Sequence, residues 1–123
     1  MVSVNGGRAR RARPRYPVTD VPSPRPEPPL ADDPDRAGRI AEVLKAVAHP
    51  LRLRIVASLC REELNVSALA ERLGASQAIV SQQLRILRSL GLVAATREDG
   101  FARYRLAEPA LVDLVCCMER CER

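Results

Sequence analysis

Residues 65–92, NVSALAERLGASQAIVSQQLRILRSLGL, decide the fold. Two helical patterns lie within them, parted by one glycine. In the first, Val66, Leu69 and Leu73 recur at helical spacing, with Ala70 beside Leu69. Asn65 or Ser67 can cap its start, because a short side-chain oxygen satisfies free backbone N–H groups there. Gly74 follows the last apolar residue, where a helix end often calls for a left-handed residue. Ser76 can then cap a second helix, in which Val80, Leu84 and Leu87 fall on one side. The other side carries Gln77, Ser81, Gln82, Arg85 and Arg88. These are residues that reach bases and phosphates: Gln pairs with adenine, Arg with guanine or phosphate, Ser with either. An ordinary amphipathic helix with a solvated face would share the pattern. The whole arrangement reads as a helix-turn-helix.

Residues 91–107 favour the nucleic-acid reading. Gly91-Leu92-Val93 leads into AATRE, then Asp99-Gly100, then FARYRLA. Asp-Gly between two alternating runs signals a two-residue hairpin, since both turn positions want positive φ. A helix-turn-helix running straight into a hairpin is a winged helix. The expected fold is mainly α with a small β-hairpin wing, in the order α1-α2-α3-α4-β1-β2-α5.

The chain has 123 residues, room for one domain with a modest core, and only 2% of them are aromatic. The core must therefore be Leu, Val, Ile and Ala, which suits packed helices. A net charge of +5 and a pI near 9.6 suggest a polyanionic partner. No apolar run approaches the ~18 residues of a membrane span. No hydrophobic core follows the early arginines, so an export signal is not expected and a cytoplasmic location is. Cytoplasmic thiols stay mostly reduced, so the four cysteines read as ligands or sensors rather than structural disulfides. One histidine, no nucleophile–base pair and no phosphate loop argue against an enzyme.

Residues 1–33 hold most of the prolines and a cluster of arginines, with few apolar residues. That composition predicts a disordered tail able to make loose phosphate contacts, or an inert extension. The winged-helix and dimerisation domain then spans residues 34–123. Asp33-Pro34 opens its first helix as a cap followed by proline at the first position. Ile40, Val43, Leu44 and Val47 form the stripe of that helix. His49-Pro50 breaks it and opens a second, with Leu51, Ile55 and Leu59 inward. His49, lacking neighbouring ligands, reads as a cap or packing residue. Residues 61–64 form a short charged connector.

Glu108-Pro109 opens a last helix expected to run to the chain end, with Leu111, Leu114, Val115 and Met118 apolar. A chain this short leaves that stripe little core to cover. Packing it on the first helix, and on the same pair of a second copy, gives a two-fold homodimer with two reading helices ~34 Å apart. Cys117 and Cys121 are one helical turn apart and share a flank, where two thiolates can hold a soft ion. Cys116 points about 100° away from Cys117. It can join them only if the last turn unwinds, or it can reach a ligand on the other subunit. Cys60 ends the second helix and also fits the reading of a small buried hydrophobe.

LKAVAHPLRLRIVASL, then ELNVSALAERLGASQAIVSQQLRILRSLGLV, then the Asp-Gly wing with RYRL, resembles the ArsR/SmtB family of bacterial repressors. The resemblance covers about residues 38 to 121. It implies a dimeric winged helix that binds double-stranded operator DNA and lets go when an inducer binds. Carried over by position, Ser76, Gln77, Ser81, Gln82 and Arg85 are the implied operator contacts, with Arg97 and Arg103 of the wing on backbone or minor groove. Many members carry cysteines in an ELCVCDL-type segment; here ELNVSAL puts Asn65 and Ser67 there, so that site is absent. The histidine-rich zinc site of the last helix is poorly matched too: Asp113 is present without histidines. The implied metal ligands are then Cys116, Cys117 and Cys121, with arsenite or antimonite, As(III) or Sb(III), the leading inducers, and nearby Arg120 and Arg123 favouring the thiolates. SQAIVSQQL also resembles the reading helix of a redox- and sulfur-sensing subgroup. There a cysteine of the second helix bonds one of the last, although Cys60 lies about one turn beyond the expected place. A third alternative is a DNA-binding protein with no inducer.

Overall fold

The computed structural model describes residues 27–121. The expected disordered tail over 1–33 falls mostly outside them. Its described end, residues 27–33, forms a 3-10 turn at Leu30–Asp32, and Glu27 pairs with Arg36 at 2.9 Å. Five helices and one hairpin follow: α1 (Pro34–Val47), α2 (Pro50–Leu59), α3 (Val66–Leu73), α4 (Gln77–Ser89), β1 (Val93–Glu98), β2 (Phe101–Leu106) and α5 (Ala110–Glu119). This is the winged helix-turn-helix order that the sequence predicts.

Short side chains set the helix starts. Asp33 accepts from the Arg36 amide at 3.0 Å, with Pro34 at the first helical position of α1. His49 accepts through Nδ1 from the Leu51 and Arg52 amides, at 3.2 and 3.4 Å, and so caps α2. Asn65 Oδ1 caps α3 through Ala68 N at 2.8 Å, and Ser76 Oγ caps α4 through Ile79 N at 3.1 Å. Each cap satisfies amides that have no partner within the helix. Gly74, at φ 66°, closes α3, and the Ala75 amide returns to the Ala70 carbonyl at 3.0 Å.

One apolar core joins the elements. Ile55 and Val56 of α2, Leu69 of α3, Val80, Leu84 and Leu87 of α4 and Leu111 of α5 are its fully buried members. In the hairpin, Asp99 and Gly100 both have positive φ, 51° and 83°, and Glu98 pairs with Phe101 across them. Because side chains alternate along a strand, the register Val93↔Leu106 to Glu98↔Phe101 sorts the wing into two faces. Val93, Ala95, Tyr104 and Leu106 turn to the core. Thr96, Arg103, Arg105 and Phe101 lie on the other face. The connector after α2 does more than link: Leu64 and Tyr104 exchange both backbone hydrogen bonds, at 3.2 and 2.8 Å, and pin the wing to the body.

Two expectations need correction. α5 packs on α2 within the chain, through buried Leu111 and Val115, rather than mainly on α1. It also stops at Glu119 instead of running to the end. There the Arg120 amide bonds the Cys117 carbonyl at 3.1 Å and the Cys121 amide bonds Met118 at 3.0 Å. These are three-residue steps, the tighter winding by which a last turn meets its leftover carbonyls. Cys121 thus lies past the helix.

Candidate nucleic-acid interface and thiol pair

α4 presents its outer side away from Val80, Leu84 and Leu87. Gln82 and Arg85 are exposed there, and Ser81 is half-buried on the same side. No acidic residue stands on this helix, so nothing on it repels phosphate. The polar residues are not equally free. Gln77 donates through Nε2 to Ser67 Oγ at 3.1 Å, which ties the start of α4 to α3. Ser76 Oγ accepts as the helix cap and keeps its O–H to donate outward. Gln83 Oε1 accepts from Arg52 at 2.8 Å, while Arg52 Nε also donates to the Ala46 carbonyl at 2.6 Å. Gln82 has no side-chain hydrogen bond among the described residues, so both its donor and its acceptor face outward.

The wing carries Arg97 and Arg103, but the register puts them on opposite faces of the hairpin. Arg97 is exposed, whereas Arg103 Nε stands 3.7 Å from Glu98 Oε1. Arg105 shares the Arg103 face and is exposed. Arg105 is missing from the contacts inferred from sequence, although the alternation of β2 would have found it. Arg52 is missing too, and no local pattern could have linked it to Gln83, 31 residues away.

All four cysteines are free thiols. Cys116 and Cys121 are exposed, Cys117 and Cys60 half-buried. Among the described residues no three His, Cys, Asp or Glu side chains are grouped to hold a metal ion. Cys116, Cys117 and Cys121 therefore do not converge, and a three-thiolate ion needs the end of α5 to rearrange. The structure instead brings Cys60, at the end of α2, beside Cys116 of α5. Burial pushes the Cys60 thiol up, the charges on Cys116 and Glu119 push it further, and Arg61 opposes them. The extra turn between Cys60 and its expected place does not part it from the last helix.

A basic reading helix on a helix-turn-helix, followed by a pinned hairpin, defines a winged-helix DNA-binding regulator rather than an enzyme. Comparison with known proteins agrees. Residues 49–95 match the family described as bacterial regulatory protein, arsR family. A biofilm growth-associated repressor of Agrobacterium fabrum is 38% identical over 102 residues, covering 80% of this chain and 87% of the relative. The crystal structure of the transcriptional repressor BigR from Xylella fastidiosa superposes with a TM-score of 0.68 at 35% identity, over 76% of this chain and 97% of that one. A homodimeric winged helix-turn-helix DNA-binding domain from Mycobacterium bovis, a possible ArsR-family regulator, superposes at 0.63 with 33% identity, over 72% and 83%. The chain belongs to the ArsR family and is a transcriptional repressor of the ArsR/SmtB type.

Proposed function

We propose that this repressor works as a homodimer on operator DNA and is released by chemistry at the thiols of Cys60 and Cys116. The nearness of these two thiols on different helices is the observation that carries the reading. Two thiols so placed can give two electrons and two protons to a peroxide, leaving a disulfide and water. They can also take up sulfane sulfur from a persulfide as a bridge. A bond between them ties the end of α2 to α5. α2 also holds α4 through Arg52 and Gln83, so a shift of α2 reaches the reading helix. Release then rests on unequal DNA affinity of the two states. Ser76, Gln77, Ser81, Gln82 and Arg85 meet the operator, with Arg97 and Arg103 on its backbone. α1 and α5 supply the subunit face, since Ile40, Leu44, Val112 and Met118 are left uncovered there; the M. bovis domain is a homodimer. Such a repressor acts where the chromosome lies, in the cytoplasm; no helix among the described residues is long and apolar enough to cross a membrane.

The second reading keeps As(III) or Sb(III) as inducer on Cys116, Cys117 and Cys121. Three cysteines within six residues at the exposed end of α5 favour it. One experiment separates the readings. Full-length protein on operator DNA is treated anaerobically with a persulfide or peroxide, or with arsenite, and then digested for mass spectrometry. The thiol-pair reading expects a Cys60–Cys116 cross-link and DNA release, both lost in Cys60→Ser and Cys116→Ser. Release by arsenite that survives Cys60→Ser and fails in Cys117→Ser and Cys121→Ser would replace it with the metalloid reading. No response to any of these would leave a DNA-binding protein without inducer.

A further inference from the structure

We propose that Ile79 is a specificity-determining residue of the reading helix, and that it reads thymine through the 5-methyl group. Ile79 lies in the first turn of α4, with its own amide held by the Ser76 cap at 3.1 Å. It follows that its backbone is fixed at the end of the helix whose first residues meet base edges in this class of fold. Yet its side chain is 45% exposed, while the next residue, Val80, is fully buried. At about 100° per residue, Ile79 points to the outer side, and Gln82 follows it by three residues on that side. A β-branched residue is a less favourable choice for a water-facing helix position than Lys, Gln or Ala. A single exposed isoleucine is ordinary elsewhere on a surface. This one acquires meaning from where it stands.

The chemistry of its neighbours narrows the role. Gln77 is tied to Ser67 and Gln83 to Arg52, which leaves Gln82 and Ile79 side by side on the outer side. Gln82 offers a donor and an acceptor, the match for adenine N7 and N6. Ile79 offers neither, and its match in the major groove is the thymine methyl, the apolar mark on a base edge. Together they select adjacent A·T pairs in each half-site. Polar contacts alone would let cytosine or uracil analogues compete; a methyl-sized apolar contact discriminates against a base lacking that group.

The test uses the full-length chain. Its preferred duplex is selected from a random pool and resynthesised with each thymine in turn replaced by dU, which loses the methyl and keeps the pairing edge. The wild type is expected to show one symmetric pair of thymines whose replacement weakens binding about fourfold per half-site, the worth of one buried methyl. Ile79→Ala should bind the thymine and dU duplexes equally, and Ile79→Val should keep part of the discrimination. The proposal is overturned if no thymine is sensitive in the wild type, or if Ile79→Ala keeps the same sensitivity. A folded Ile79→Ala that sediments as a monomer would also overturn it, by making Ile79 a subunit contact.

Discussion

At the scale of a residue, Cys60 is under two opposed influences. Burial and the neighbouring Cys116 and Glu119 disfavour its thiolate, and Arg61 favours it. The net direction is up, so at neutral pH Cys60 rests as a thiol, protected from casual oxidation, because only the thiolate attacks. The sign of each perturbation is testable. The rate of Cys60 alkylation by iodoacetamide, followed by mass spectrometry, should rise with pH along a curve lying above that of an ordinary cysteine. Cys116→Ser and Glu119→Gln should each move the curve to lower pH. Neither should bring it to the ordinary value, because burial is the largest cause and remains. Replacing Arg61 by Gln should move it higher. An unchanged curve in Cys116→Ser would mean that the two thiols do not sense each other, and the thiol-pair function would go with it.

At the scale of an element, the turn between α3 and α4 fixes how the reading helix is offered. Gly74 holds it with φ 66°, and a Cβ added there meets nothing within 4 Å. Substitution therefore costs backbone strain without a clash. Gly74→Ala should lower unfolding free energy in urea by ~1–2 kcal/mol, and Gly74→Asn by less, since Asn tolerates the left-handed region. Operator affinity of the folded fraction should be unchanged; a large loss would mean that the turn bends rather than strains. Local features of this kind are legible in the sequence. Asp33, Asn65, Ser76 and the Asp99-Gly100 turn act over two to four residues, and their chemistry is read directly from the string. The stop of α5 at Glu119 is not legible, because its last turn is set by backbone bonding rather than by any breaker residue. Nor are the Leu64–Tyr104 bridge, the Arg52–Gln83 bond or the meeting of Cys60 with Cys116. Each depends on how separate elements pack. The sequence marks the cysteines as a sensor but groups the three that are neighbours along the chain. Packing joins one of them to the fourth.

At the scale of the whole molecule, the uncovered apolar side chains of α1 and α5 ask for a partner surface. Leu44 is 47% exposed and Met118 51%, while Leu114, half-buried, packs on the core. The distinction decides which substitution tests the dimer. Leu114→Asp would strike the fold of the single chain as well as any subunit face. Met118→Asp leaves the core alone, because in one chain its side chain already meets water. In a two-fold dimer every substitution occurs twice. An unpartnered carboxylate costs ~2 kcal/mol per site on burial, so the dimer should lose ~4 kcal/mol, about a thousandfold in its dissociation constant. Sedimentation should then show folded monomers at concentrations where the wild type is paired, with an unchanged helical signal. Operator affinity should fall with it, because one reading helix engages one half-site and the joint binding of two is lost. Leu44→Asp should act in the same direction if α1 shares that face. A Met118→Asp protein that still sediments as a dimer and holds its operator would place the subunit contact elsewhere. Cys116 would then no longer lie on the helix that links the subunits, and a bond to Cys60 would have to act through α2 and Arg52 alone.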